Sequence, residues 1–427
     1  MRHGLCTWSI DFLNRQSQSN SSVLLLKERS AEVLVITEKS SLHLSELAPR
    51  VVQSEIRAMT QECDRMGGVN LAQGVCDTEV PAVVAEGAIR AIHDGLNIYT
   101  RMDGISRLRQ AIAGKVARTL GITVDPEREV FITSGVTGAF QAAVMALLNP
   151  GDEVMLFEPF YGYHASTLRS IRTVPVPVAL KAPDWGLDLE AVRAAITPRT
   201  RGMVINTPSN PAGKVFTRKE LEALAAIAEE FDLFVFTDEI YEHFIYGGAK
   251  HISPATLPGM RERTILMSGF SKTFSVTGWR VGYLIADAKW VGSIGYFHDL
   301  TYVCAPAPLQ QGCADGVEKL GADFYAGLAQ EHEAKRTMIV DALREAGMRP
   351  HVPDGAYYVL ASAGDLPGVT AAEKARALLA KTGVASVAGS AFFRPGKGED
   401  LLRFCFAKKD KDLAEACRRL RALGSGA

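Results

Sequence analysis

The sequence predicts an α/β fold, with a large domain built on a mostly parallel sheet and a smaller α+β domain after it. Three observations lead there. Short apolar runs alternate with helix-length amphipathic segments between residues 129 and 286, the signature of parallel strands joined by crossover helices. Polar motifs follow the ends of these runs, where open α/β sheets bind ligands. Beyond Cys304-Ala-Pro-Ala-Pro308 the alternation gives way to a long helical stretch and a mixed set of short strands and helices.

A chain of 427 residues holds two or three domains at roughly 100–200 residues each. It is 47% hydrophobic and 22% charged, which suits a globular protein with a large core. The net charge of −1 points neither to nucleic acid nor to an acidic membrane surface. No apolar run reaches the ~18 residues of a membrane span. Seven scattered cysteines without a CxxC pair argue for a reducing, cytoplasmic compartment, and nine histidines without an HExxH pattern give no support for a metal site.

Residues 1–44 stand apart as an N-terminal extension, with a polar Gln16–Ser22 run and two short apolar runs after it. They are expected to be poorly ordered or to form a docked hairpin. Helical spacing of Leu47, Val51, Val52, Ile56 and Met59 predicts a helix over residues 45–66, in an arm (45–75) that belongs with the small domain. An extended piece over 69–77 contains Gln73-Gly74, where backbone can approach a ligand closely. Helices are expected over 81–94 and 106–120, with Tyr99 in the loop between them.

The large domain is placed at 76–312. Its first strand, 129–133, runs into Ser134-Gly-Val-Thr-Gly138 and a helix over 139–148. A strand, a glycine turn and a helix N-terminus make an anion site. The strand 153–157 leads to Tyr161, which can stack on a flat ring or pack a domain seam. The strand 201–206 leads to Asn210, held between two prolines. After the helix 218–230, the strand 233–237 stops at Asp238-Glu-Ile-Tyr241.

The strand 264–268 opens Ser268–Tyr283, which contains Lys272 and, eight residues on, Arg280. A lysine just past a buried strand is costly to desolvate as a cation. Its pKa falls, and the neutral amine attacks carbonyls. Arginine cannot be neutralised and suits a phosphate. A phosphorylated cofactor bearing a carbonyl, such as pyridoxal phosphate, accounts for both residues; two solvated cations on a turn are the plain alternative.

The small domain (313–427) is expected to hold helices over 322–345, 371–382 and 411–423, and strands over 355–361, 384–387 and 402–406. Arg403 interrupts the last, apolar strand. A buried arginine needs an anionic partner, and its fork fits a carboxylate, whether of a ligand or of an internal salt bridge.

These motifs, in this order, resemble the class I/II aminotransferases of the pyridoxal-phosphate-dependent fold type I superfamily. The resemblance runs from about Ser45 to the C-terminus. It rests on Asn97-Ile-Tyr-Thr-Arg101 with Gly104, Gly135-Val-Thr137, Pro159-Phe-Tyr161, Ser209–Gly213, Asp238-Glu-Ile-Tyr241, Ser271–Arg280 and Arg403-Phe-Cys-Phe406. The branch it is most similar to is the kynurenine–oxoglutarate, glutamine and methionine transaminase group. The resemblance implies pyridoxal 5'-phosphate as cofactor and amino-group transfer from an L-amino acid to a 2-oxo acid by ping-pong kinetics. It implies Lys272 as Schiff-base lysine, Asp238 beside the pyridine nitrogen, and Asn210 and Tyr241 on the phenolic oxygen. Gly135, Val136, Thr137 and Arg280 would hold the phosphate, and Tyr161 would stack on the ring. Arg403 would clamp the substrate α-carboxylate, and Gly74 would border the substrate. A homodimer is implied, with Tyr99 reaching the neighbouring subunit's cofactor.

One departure is Gly269, where some relatives carry a phosphate-binding serine; Ser268 or Ser271 is expected to replace it. Tyr163 and Phe392 are candidates for the side-chain pocket. A β-lyase or a cyclopropane-carboxylate synthase-like enzyme would use the same lysine and carboxylate. A non-enzymatic regulator on this fold would carry a DNA-binding domain, for which the N-terminal extension is short and lacks a basic helix pair.

Overall fold

A computed structural model describes residues 42–50 and 55–424, and residues 49–427 cluster as one compact unit. The expectations for residues 1–41 lie outside the described residues. Seven strands form one sheet in the order Val130–Thr133, Gly282–Ile285, Thr264–Gly269, Phe234–Asp238, Thr200–Asn206, Glu153–Glu158, Val174–Ala179. Only Gly282–Ile285 runs against its neighbours. Strands sandwiched between helices need apolar residues on both faces, and Glu153–Glu158 and Thr264–Gly269 are buried throughout.

The sheet ends at Val174–Ala179, a strand the sequence reading missed because Pro175 and Pro177 argue against one. The register explains them. Val174 donates its N–H to Asp152 and Leu180 donates to Glu158, so the alternate positions 175 and 177 face the open edge. Proline there removes donors that would otherwise recruit another strand.

A four-stranded sheet contains Pro350–His351, Tyr358–Ser362, Leu401–Cys405 and Val387–Ala388, flanked by the helices Ala322–Glu345, Ala371–Thr382 and Asp410–Gly424. The single strand expected over 384–387 is two. Val384–Ala385 pairs in parallel with Val69–Asn70, and Val387–Ala388 pairs with Leu401–Cys405. The expected helix over 45–66 is a 3-10 turn at Ala48–Arg50 and a helix at Glu55–Arg65, with 51–54 outside the described residues.

Capping decides several boundaries. Thr217 with Glu220, and Thr370 with Glu373, form reciprocal capping boxes at the helices Arg218–Glu230 and Ala371–Thr382. The helix expected from residue 139 starts at Gly135, so Val136 and Thr137 lie in its first turn. Four helices were not foreseen: Gly162–Ser170, Leu189–Ala194, Ala288–Tyr302 and Ala307–Lys319. Among the described residues no helix is long and apolar enough to cross a membrane.

Candidate active site

Lys272 lies three residues beyond the strand Thr264–Gly269. Its Nζ donates to the Gly74 carbonyl at 3.1 Å. Burial, with the Arg280 charge adding to it, pulls this amine down to about 8. Asp238 is the last residue of the adjacent strand. Its Oδ2 lies 3.1 Å from His164 Nε2, and its Oδ1 accepts the Ile240 N–H. His164 sits on the helix Gly162–Ser170, which starts directly after Tyr161, and the two rings meet edge to face at 5.3 Å. Tyr161 stacks on Tyr163 at 5.2 Å and 14°.

The neighbouring strand end is tied into this group. Asn206 donates its side-chain amide to the Asp238 carbonyl and accepts the Asn210 N–H at 2.7 Å. The Tyr241 hydroxyl is 2.9 Å from that of Tyr358, and burial pushes Tyr241 well above its usual pKa. Gly74 approaches so closely that a Cβ there would overlap the Tyr358 hydroxyl.

Gly135 has φ +69°, and a Cβ on it would overlap the Arg280 guanidinium. Only glycine lets that cation sit against the first turn of the helix Gly135–Leu147. Arg280 donates to the Thr277 carbonyl at 3.0 Å. Together the helix N-terminus and guanidinium form a positive corner suited to a phosphate. Behind it, the Ser134 N–H donates to His298 Nε2 at 2.9 Å.

At Gly269 a Cβ would come 2.9 Å from Gly282 Cα, so the close pairing of these two strands excludes a larger residue. Of the two serines considered in its place, Ser268 turns away to bond Glu242 at 2.8 Å, whereas Ser271 lines the cleft.

Arg403 enters from the other sheet. Its Nη1 donates to Asn210 Oδ1 at 3.0 Å, its Nη2 to the Ala72 carbonyl at 2.6 Å, and its Nε has no partner. The guanidinium lies over Tyr358 at 4.4 Å and Phe392 at 4.9 Å. The side chain is 1% exposed, yet the contacts found among the described residues are with neutral groups. The internal salt bridge considered from the sequence is not what holds it.

The cleft measures about 400 Å³ and is lined by Gly74, Val136, Thr137, Tyr161, Tyr163, Asn210, Asp238, Tyr241, Lys272, Arg280 and Arg403. Nearly every residue singled out from the sequence is therefore brought together. Gly135 backs the cleft behind Arg280, and Phe392 lies under Arg403. Tyr99 is the exception, standing 77% exposed and outside this lining. The sequence reading missed His164, Asn206, Tyr358 and Arg57, all on the cleft wall. A polar residue one helical turn after Tyr161 was the available signal for His164.

A half-buried amine of lowered pKa, a buried carboxylate beside a histidine, an anion-binding corner and an arginine paired only with neutral groups define a site able to hold a phosphorylated carbonyl compound and a second, carboxylate-bearing molecule. Comparison with known proteins agrees. A family model for "Aminotransferase class I and II" matches residues 67–420. The chain is 37% identical over 376 residues to the Probable N-succinyldiaminopimelate aminotransferase DapC of Mycobacterium tuberculosis, covering 86% of this chain and 94% of that one. It is 32% identical to kynurenine–oxoglutarate transaminase 3 of Mus musculus, covering 84% of this chain and 85% of that one. The solved N-succinyldiaminopimelate aminotransferase from Mycobacterium tuberculosis superposes with a TM-score of 0.86 at 36% identity, over 89% of this chain and all of the other. The chain belongs to the class I and II aminotransferases. It has their fold type I architecture and their dependence on pyridoxal phosphate.

Proposed function

We propose that this aminotransferase moves the amino group of an L-amino acid to a 2-oxo acid in two half-reactions at Lys272, with ping-pong kinetics. The observation that carries the reading is the Lys272 amine, half-buried and drawn down to about 8, lining the same cleft as Asp238 and Arg403. The residues fit the cofactor. Lys272 would bind its carbonyl, Asp238 its ring nitrogen, and Asn210 and Tyr241 its phenolic oxygen. Gly135, Val136, Thr137 and Arg280 would hold its phosphate, with Ser271 supplying the hydroxyl absent at Gly269, and Tyr161 would cover the ring. When bound, pyridoxal phosphate supplies an electron sink for the bond pair released at the substrate Cα.

The chain's own groups do the rest. Arg403 would fix the substrate α-carboxylate, since its Nε is unpartnered and its other donors bond only neutral oxygens. Gly74 leaves room beside the amine and accepts its proton at 3.1 Å, which aims Nζ into the cleft. Lys272 Nζ would take the proton from the substrate Cα and return it as general base and acid, a role that suits an amine drawn down to about 8. His164 keeps the Asp238 carboxylate oriented.

Residues 76–312 serve as the cofactor domain, and 313–427 with the arm 45–75 as the small domain; the Val69–Asn70 pairing with Val384–Ala385 supports that grouping. Exposed Ile98 and Tyr99 on one loop, and Tyr296 and Leu300 on a helix, support a homodimer in which Tyr99 serves the partner's cofactor. Scattered cysteines support a cytoplasmic setting.

The test is a half-reaction screen. The cofactor absorbance band of the purified protein should shift on adding an amino donor and return on adding a 2-oxo acid. Release of ammonia and pyruvate from a cysteine conjugate without any acceptor would point to a β-lyase instead.

A further inference from the structure

Ser275, three residues after Lys272, holds a backbone conformation that a residue with a side chain rarely takes. Its φ is +56°, in the left-handed region. Its N–H donates to the Lys272 carbonyl at 3.3 Å and closes the turn that carries the reactive amine. The Ser275 hydroxyl is caught from outside that turn. It lies 2.6 Å from the Thr78 hydroxyl and 3.3 Å from Cys76 Sγ, and those two are 3.1 Å apart. Cys76 is buried, and Thr78 and Ser275 are half-buried. Gly74, two residues before Cys76, accepts Lys272 Nζ at 3.1 Å. One segment, residues 74–78, thus grips the lysine turn at two points, the amine and Ser275. Residues 71–81 belong to no helix or strand, and the segment is anchored by single contacts instead. The Leu71 carbonyl accepts the Cys405 N–H at 2.8 Å, the Ala72 carbonyl accepts Arg403, and Lys408 Nζ donates to the Val75 carbonyl at 3.5 Å.

We propose that Thr78 and Cys76 clasp Ser275 in its left-handed conformation, and that this clasp sets the position of the Lys272 amine. The three are positioning residues. The proposal rests on the reading of Lys272 as the amine that takes the cofactor carbonyl. A lysine side chain is long and flexible, so Nζ is placed by its backbone turn and by the one bond to Gly74. A turn that relaxes at Ser275 moves the Lys272 backbone and carries Nζ off that carbonyl. A reacting group displaced by about 1 Å loses rate steeply. The serine is suited to this place by its hydroxyl alone. Alanine would keep the strained φ with nothing to hold it, whereas glycine takes the same φ without steric cost. Arg403 and Arg280 bond other groups, so the clasp acts on the amine and leaves the carboxylate and phosphate sites as they are.

Two measurements test it. The first follows uptake of pyridoxal phosphate by the cofactor-free protein, which reads the amine without any amino acid. Thr78→Val, which puts a methyl in place of the hydroxyl, and Ser275→Ala should each slow uptake about tenfold, and Thr78→Ser should keep most of the parent rate. Ser275→Gly should lose less than Ser275→Ala, because only alanine keeps the strain. The double variant Thr78→Val with Ser275→Ala should be about as slow as either single one, since the two act as a unit. The second measures the half-reaction of the loaded enzyme with an amino donor. In Thr78→Val kcat should fall about tenfold while KM holds within about twofold. Parent-like uptake in Thr78→Val and Ser275→Ala, a glycine variant slower than the alanine one, losses that add in the double variant, or a loss carried by KM overturns the proposal and leaves the aminotransferase reading intact. A parent that takes up the cofactor but responds to no amino acid overturns that reading alone, and the uptake rates still decide the clasp.

Discussion

Two lysines drawn into the interior of this protein, one buried and one half-buried, meet opposite fates. Lys115, on the helix Ser106–Leu120, donates to Glu242 at 2.5 Å and to the Tyr283 hydroxyl at 3.0 Å. Burial alone would lower its pKa; the Glu242 charge outweighs burial and raises it. Lys272 is half-buried, its hydrogen bond goes to a neutral carbonyl, and desolvation pulls it down to about 8. The partner, rather than the depth, decides whether a buried lysine is a structural cation or a nucleophile. Lys115 ties its helix to Glu242, four residues past the strand that ends at Asp238, and to Tyr283 on the strand Gly282–Ile285. Lys272, three residues past the strand Thr264–Gly269, lines the cleft with no charged partner.

The comparison can be broken most strongly at Lys272. Lys272→Ala should lower the half-reaction rate by more than ~10³-fold. It should leave the unfolding midpoint equal or higher, since a poorly solvated amine is removed. A variant that keeps a tenth of its rate would refute the assignment. At the other lysine the effect is on stability. Glu242→Ala strands the Lys115 charge and should cost about 3–5 kcal/mol in denaturant unfolding. Replacing both, as Lys115→Met with Glu242→Leu, should recover most of that loss. If the double variant is as unstable as the single one, the pair does not act as a unit.

Acid sharpens the same contrast. The Lys115 charge, against burial, holds Glu242 down to about 2 from its ordinary 4.5. The folded state thus binds fewer protons than the unfolded one between those values. The stability from Glu242 is fully present above 4.5 and is lost as pH falls towards 2. Glu242→Gln should flatten the unfolding free energy across that window.

Smaller effects belong to the cleft. His164→Phe removes a hydrogen bond to a carboxylate and should slow the half-reaction about 10–100-fold without loss of Arg403-dependent substrate binding. The smallest effect concerns pH. Uptake of pyridoxal phosphate by the cofactor-free protein should accelerate as pH rises, with a midpoint of about 8 for the neutral Lys272 amine. Stopped-flow absorbance would measure it, and a rate independent of pH from 6.5 to 9 would contradict it.

The two lysines also differ in how far the sequence disclosed them. Lys272 follows a strand directly, so a local pattern marks it, as it marks Asp238, Asn210 and the turn before Val136. Strand alternation made the sheet legible in the same way. Lys115 is one of several basic residues on an amphipathic helix, and its partner lies 127 residues away in the chain. His164 and Tyr358 are contacts of the same long-range kind. The strand Val174–Ala179 was hidden by prolines whose meaning depends on which way their nitrogens face. Tyr99 was legible as a motif, but its place outside the cleft of its own chain appears only in three dimensions.

The most direct test of Lys272 as the reactive amine is borohydride reduction of the pyridoxal-phosphate-loaded protein, followed by peptide mass analysis. The cofactor should be found fixed on the peptide containing Lys272 and absent from that containing Lys115. Fixation elsewhere, or none, would contradict the assignment.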